Sequence, residues 1–368
     1  MSDTATTSRG RFRVQTRTRV STIALAAGVV LLVLLFALPV VAPRPLIQDL
    51  FFILTMLALA QYWNLLAGYA GLVSVGQQAF VGVGGYTLFA AAILAGWEPL
   101  VAIGFAGIVA AILAVPTALV IFQLRGAYFA IGSWVAAEVF RLSFAQWKQV
   151  GGGTGTSLPR TATSGIYGLD FIKHLFHVKT SAARDIESYW LALIVAAGTI
   201  ALVYAIQRSR HGLALSAIRD SEQAAASVGV RNFRTKIWIF VVAAFGTGIT
   251  GALIYFQKAR ISPDAAFSVI DWTAFVVFIV VIGGIGTIEG PIVGVLIFYL
   301  LQNYLAEYGS WYLMLLGAIA TVVMLVSPQG IWGWVVKRWD LHLFPVRRRL
   351  VVDEDSSAVS DQIDPRSI

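Results

Sequence analysis

Few residues of this 368-residue chain have the type and spacing for chemistry. Glu138 and Arg141 stand at i, i+3 in an apolar run, where a charge costs about 2.5–3.5 kcal/mol unless it finds a partner. The spacing suits an ion pair that holds helices together; a place on a substrate path is the alternative. Asn64, Gln77 and Gln78 are amides in apolar surroundings beside a glycine-rich break. Such groups either line a path or satisfy backbone atoms freed by the break. His174 and His177 share helical spacing, but no acidic or third-ligand motif converges on them. With no cysteine, disulfides, thiolate metal sites and a cysteine nucleophile are excluded. No nucleophile–base pattern is present, so a membrane enzyme is disfavoured. The chain has no Gly-Lys dipeptide, so it cannot hold nucleotide phosphates in a Walker A loop. No metal and no cofactor is expected on this chain.

The elements that must position these groups are apolar. Hydrophobic residues make up 58% and charged ones 12%, with a mean hydropathy of +0.78. Soluble domains carry about 25% charge to cover their surface, so lipid is the solvent this composition fits. Continuous apolar runs, without the alternation of barrel strands, predict an all-α polytopic transmembrane bundle. Runs at 21–42, 48–67, 70–95, 99–122, 127–147, 189–207, 236–257, 270–284, 290–306 and 311–327 predict about 8–10 spans, several short or re-entrant where glycine interrupts them. Ala244, Gly248 and Ala252 at i, i+4, i+8 form a ridge that lets another backbone approach. An apolar run from Asp49 ends at Gly68 to Gly71, and another from Asp271 ends at Gly283, Gly284 and Gly286. This echo predicts two inward runs with breaks on the same side; paired interruptions of this kind mark transport pathways.

Basic residues stay on the cytoplasmic side of short loops. They crowd the tail 1–19, the segment 208–236 and the tail 336–368, which puts both termini in the cytoplasm and the long segment 148–187 outside. The net charge of +8 is thereby explained by topology and anionic lipid, with no nucleic acid. The last stretch, acidic and serine-rich, is expected to be disordered. The membrane domain is 20–335.

The segment 210–237 is too well patterned for a linker. Asp220 as N-cap with Gln223 three residues on predicts a helix over 221–228, and Gly229 is placed to end it. Ala224, Ala225 and Val228 then share one side. So short a helix needs a partner surface to persist. Docking on a partner and lying at the membrane interface are the two readings.

Ala217-Ile-Arg-Asp-Ser-Glu222-Gln-Ala-Ala-Ala-Ser-Val-Gly229 resembles the coupling loop of the LivM-type permeases, membrane subunits of bacterial importers for branched-chain amino acids and amides. The resemblance covers roughly 47–335, in family order. It includes Asn64-Leu-Leu-Ala-Gly68-Tyr-Ala-Gly71-Leu-Val-Ser-Val-Gly76, Leu124-Arg-Gly-Ala-Tyr128, Glu138-Val-Phe-Arg141, Ser262-Pro-Asp264, Val281-Ile-Gly-Gly284-Ile-Gly286 and Ser327-Pro-Gln-Gly330. Gln77-Gln78 and Gly151-Gly-Gly-Thr-Gly155-Thr depart from the family pattern, which leaves the substrate open. The resemblance implies ATPase coupling through Arg219, Asp220, Glu222, Ala224, Ala225 and Gly229. Read from their own chemistry and the glycine breaks, the candidates for a translocation path or gate are Asn64, Gln77, Gln78, Glu138, Arg141, Gly283, Gly284 and Gly286. The resemblance further implies a second, related permease chain, two ATPase subunits that hold ATP and magnesium, an extracytoplasmic binding protein, and a place in the bacterial inner membrane. The alternative is an ATP-independent secondary transporter or channel; such carriers keep acidic groups at the midplane, and Glu138 is the candidate.

Overall fold

The computed structural model describes residues 12–15, 19–159, 169–305, 309–327, 329–339, 343–344 and 349–352. Most of the basic tail, Arg160, His342, Arg347, Arg348, Pro328 of the Ser-Pro-Gln-Gly motif and the acidic end 353–368 lie outside the described residues. In chain order the helices are α1 (Arg19–Ala37), α2 (Arg44–Asn64), α3 (Gln78–Leu94), α4 (Pro99–Ile121), α5 (Ala127–Ala145), α6 (Leu169–Phe176), α7 (Thr180–Arg208), α8 (Arg210–Asp220), α9 (Glu222–Ser227), α10 (Asn232–Lys258), α11 (Pro263–Ala266), α12 (Phe275–Gly283), α13 (Glu289–Leu305), α14 (Ser310–Val326) and α15 (Gly330–Trp339). Among the described residues, sheet is confined to two short antiparallel ladders. β1 (Phe12–Gln15) pairs with β4 (Arg349–Val352), Phe12 opposite Val352, and so brings the two tails together. β2 (Thr156–Ser157) pairs with β3 (Arg260–Ile261), Thr156 opposite Ile261.

Among the described residues, seven helical segments are long and apolar enough to cross a membrane. The runs folded as α3, α5 and α13 fall short of that in length or apolarity. α7 begins nine residues before the apolar run that announced it, inside the segment read as an outer loop. The run 70–95 is also not one helix. α2 ends in a π-turn, Leu65–Tyr69, and the chain runs irregularly through 71–77 before α3 starts at Gln78. Non-helical backbone at membrane depth persists only where protein satisfies it. Trp63 Nε1 donates to the Ser74 carbonyl at 2.8 Å, the Val75 amide donates to Ser133 Oγ at 2.9 Å, and the Gly76 amide donates to Ser74 Oγ at 3.2 Å.

The small-residue ridge on α10 behaves as its spacing predicts. A methyl group on Gly248 would stand 2.5 Å from the Ala110 methyl of α4, and one on Gly84 of α3 would stand 2.0 Å from the Gly248 carbonyl oxygen. Gly251 adds a third contact, with the Val81 carbonyl 2.3 Å from where its Cβ would be. α10 therefore sits against α3 and α4 at backbone distance. At the periphery, α1 is exposed along nearly all of its described length and is tied near its end. There Tyr189 Oη donates to the Leu35 carbonyl and the Phe36 ring stacks on Trp190.

The course of α2, α7 and α10 defines two ends. All three carry one terminus near the 208–236 segment and the other beside Asp185, about 36 Å away for the 24 residue-to-residue steps from Arg44 to Gly68 at 1.5 Å each. At the far end Asp185, 2% exposed, accepts from Arg44 Nε at 2.5 Å, Gln48 Nε2 at 3.0 Å and Gln257 Nε2 at 2.7 Å. One carboxylate thus joins three helices there.

A glycine junction tied to the coupling segment

The two glycine breaks meet. Asn64, in the last turn of α2, accepts the Gly286 amide at 2.8 Å through Oδ1 and donates Nδ2 to the Thr287 carbonyl at 2.7 Å. One turn earlier, Gln61 Nε2 donates to the Ile288 carbonyl at 2.7 Å. Both amides are fully buried, and both satisfy backbone that the break between α12 and α13 leaves without helical partners. Asn64 is therefore a backbone clamp, one of the two readings the sequence left open. Gly68 is required at the crossing, because a methyl there would stand 2.5 Å from the Gly286 nitrogen. Gly286 itself has φ +76° and Gly284 φ +138°, conformations that L side chains avoid.

Two more motifs close on this point. Gly283 packs against Gly290 and Gly294 of α13, with the Gly290 carbonyl 1.9 Å from a Cβ at 283. Gly330, φ +71°, lies with its Cβ position 2.6 Å from the Gly284 nitrogen. Thr287 Oγ1 donates to the Gly284 carbonyl and accepts the Gly290 amide, fixing the turn. Glu289, 7% exposed, accepts the Phe344 amide at 3.0 Å, and the Phe344 ring lies edge-on to Tyr204 of α7. A segment beyond α15 thereby straps α13 to α7.

Arg219 reaches into the junction from the coupling segment. Its Nη1 donates to the Gly68 carbonyl at 3.2 Å, and the side of Gly71, φ +70°, faces the Arg219 Cα at 3.6 Å. Arg219 lies in the last turn of α8, and α9 follows directly. The cap of α9 is Ser221 and not Asp220: Ser221 Oγ accepts the Ala224 amide at 3.3 Å, while Asp220 ends α8 and pairs with Arg219 at 3.2 Å. A serine one residue on satisfies the same free amide, which moves the helix start from 221 to 222. Gly229 ends the segment with φ +88° as expected. Ala225 alone is buried among the six residues of α9; Ala224 and Val228 are exposed, so the three do not share a face. Glu222 pairs with Lys236, and its carbonyl accepts Asn232 Nδ2 at 2.6 Å. Beside α9 lies an open recess of about 460 Å³ bordered by Arg231, Asn232, Phe233 and Arg234.

The remaining candidates lie elsewhere. Gln77 Nε2 donates to the Leu59 carbonyl, and Gln77 borders an enclosed cavity of about 10 Å³, room for about one water and not for a solute. Gln78 exchanges hydrogen bonds with Thr273, between α3 and the π-turn Ile270–Ala274. Arg141 grips Glu138 through Nε and Nη2 and reaches Asp264 at 2.7 Å through Nη1. The pair is thus partly exposed, near the end opposite the junction, and links α5 to α11; it is not at the centre of a bundle. Asp185, Gln61, Thr287, Glu289 and Phe344 were not singled out in the sequence. Gln61 had a signal, since it precedes Asn64 at helical spacing in an apolar run. The others had none.

The family of branched-chain amino acid transport system permease components matches residues 47–327. The high-affinity branched-chain amino acid transport system permease protein LivM of Escherichia coli (strain K12) is 26% identical over 316 residues, covering 82% of this chain and 73% of the relative. LivM of Salmonella typhimurium (strain LT2) is 25% identical over 312 residues, with the same shares covered. No solved structure matches. The matched span takes in both glycine breaks, the clamp between them and the arginine that meets them. This chain is an integral membrane protein and belongs to the family of branched-chain amino acid transport permease components.

Proposed function

We propose that the chain is the permease subunit of an ATP-driven importer in the bacterial inner membrane, moving branched-chain amino acids or related small polar solutes by alternating access. One observation carries this reading: Arg219, adjoining an exposed, capped, six-residue helix, bonds to the carbonyl of Gly68 where two broken spans cross. A push on α9 is delivered to the crossing through one residue. α9 is too short to persist without neighbours, and all of it but Ala225 faces outward. A separate ATPase docking on Glu222 to Gly229 would use this exposed face and the basic recess beside it. Two conformations that differ in how the breaks cross are then weighted by nucleotide state on the partner.

The basic residues of the coupling segment support a cytoplasmic junction end. The β1–β4 pairing of the tails supports termini on one side. A related permease chain, two ATPase chains and an extracytoplasmic binding protein complete the assembly. An ATP-independent carrier finds less support, because Glu138 is held by Arg141 at one end of the bundle and is not a free acid at midplane.

Purification of the tagged chain from its native membrane tests the reading. An ATPase subunit should co-purify, and proteoliposomes of the complex with its binding protein should take up leucine only with ATP. Uptake that is independent of ATP and driven by an ion gradient would contradict it.

A further inference from the structure

α15 lies against the glycine junction and turns a different chemistry outward. It starts at Gly330, φ +71°, whose Cβ position is 2.5 Å from the Gly284 Cα. The Gly330 amide donates to the Ser327 carbonyl and its own carbonyl accepts Ser327 Oγ, both at 2.8 Å. The Trp332 Cβ adds a contact 3.3 Å from the Cβ position of Gly284. Beyond α15 the Phe344 amide donates to Glu289, the first residue of α13. The chain therefore leaves the break between α12 and α13 at residue 330 and rejoins it by residue 344. Ten helical residues reach about 15 Å, half the thickness of a hydrocarbon core. The last apolar segment, Trp311–Trp339, thus divides into a crossing helix, α14, and a helix held at the level of the junction.

The sequence of α15, Gly330-Ile-Trp-Gly-Trp-Val-Val-Lys-Arg-Trp339, carries two cations and no acid. Ile331, Trp332, Val335 and Val336 are half-buried, whereas Trp334, Lys337 and Arg338, at i, i+3 and i+4, form an exposed face. Trp334 and Trp339 are 55% and 58% exposed, with their rings edge-on at 5.7 Å. Among the described residues, no carboxylate oxygen is within 4.0 Å of Lys337 or Arg338. In sequence this face follows the exposed apolar end of α14, Val322, Leu325 and Val326. Indole rings collect at the boundary of membrane and water, and lysine and arginine beside them extend their charge to phosphate. An anionic headgroup complements the two cations, while its acyl chains meet the end of α14.

We propose that α15 is a docking surface for anionic phospholipid of the cytoplasmic leaflet, with Trp334 at the acyl boundary and Lys337 and Arg338 on the headgroup phosphate. Backbone contact between Gly330 and Gly284 leaves no slack, so lipid that holds α15 also holds one side of the junction. Transport then responds to the anionic lipid content of the membrane. The proposal takes the side of the membrane from the import reading and adds a lipid partner to it.

The test compares ATP-driven leucine uptake by the complete complex in vesicles of phosphatidylcholine and in vesicles of phosphatidylcholine and phosphatidylglycerol in equal parts. The wild type should be at least about fivefold faster with phosphatidylglycerol, the gain that one cation near an anionic surface provides. The double variant Lys337→Gln, Arg338→Gln should lose most of that gain and match the wild type in phosphatidylcholine. The exchanged pair Lys337→Arg, Arg338→Lys should keep it. Lys148→Gln with Arg260→Gln, exposed cations at the other end, should keep it too. Equal uptake by the wild type in the two vesicles, or an undiminished gain in Lys337→Gln, Arg338→Gln, would overturn the lipid surface and leave import standing. Loss of uptake by that variant in both vesicles, with less ATPase retained, would also overturn it, since the face would then dock protein. A wild type that moves no leucine with ATP in either vesicle would remove the import reading along with the lipid surface.

Discussion

The two ends of the bundle are joined by different means. At the far end, side chain meets side chain: Asp185 takes three donors from α2 and α10, and Arg141 takes two carboxylates from α5 and α11. At the junction end, side chain meets backbone: Asn64, Gln61 and Arg219 hold the main chain of two glycine breaks. A carboxylate with several donors is costly to part, because each lost partner leaves a charge or amide exposed to low dielectric. A carbonyl bonded by one arginine can be released and retaken by a neighbouring carbonyl at small net cost. The contrast assigns the far end to cohesion and the junction end to movement.

Breaking the cohesive end should have the largest effect on stability. Asp185→Ala leaves Gln48 and Gln257 without their acceptor, while Arg44, half exposed, can turn to water. The expected loss is about 2–3 kcal/mol, read as a lower midpoint of thermal unfolding of the purified chain. Solute carried per ATP should stay unchanged in what remains folded. A fall in that ratio with an unchanged midpoint would reverse the assignment of the two ends.

Gly68→Ala strikes the junction. The new methyl would stand 2.2 Å from Asn64 Oδ1 and 2.5 Å from the Gly286 nitrogen, so the two breaks must separate. Overpacking of this kind costs about 1–3 kcal/mol. Here transport should suffer beyond the stability loss: uptake should be abolished at temperatures where the variant is still folded. Glu222→Gln should change stability little, by about 1 kcal/mol at most, since Glu222 is more than half exposed and the amide keeps an acceptor for the largely buried Lys236. A clear drop in ATP-dependent uptake alongside an unmoved unfolding midpoint would then locate its role in docking.

Much of the junction end was legible in the sequence. Glycine and asparagine at a broken apolar run are explicit signals, because few other residues tolerate the backbone they need. Gly68, Gly71, Gly284, Gly286 and Gly229 all proved to be at turns or close crossings. The echo between the runs from Asp49 and Asp271 foretold that the breaks lie on one side; that they touch is a tertiary fact. The cap of α9 was misplaced by one residue, since Asp220 and Ser221 are both good caps and sequence does not say which one leaves helical geometry. The far end was not legible. Asp185 sits on a helix turn that reads as a charged loop, and its partners come from 137 to 141 residues earlier and 72 later. The third run also hid its non-helical start, because Leu72, Val73 and Val75 continue the apolar pattern into the helix that follows.

The central claim is that Arg219 transmits movement from α9 to the crossing of the breaks. It is tested most directly by the ratio of leucine taken up to ATP hydrolysed in proteoliposomes of the complete complex, comparing Arg219→Ala with the wild type. The account predicts that the Arg219→Ala complex assembles and hydrolyses ATP, while the ratio falls at least about tenfold, as loss of a charge-assisted bond in the moving joint requires. An unchanged ratio in a fully assembled Arg219→Ala complex would contradict it.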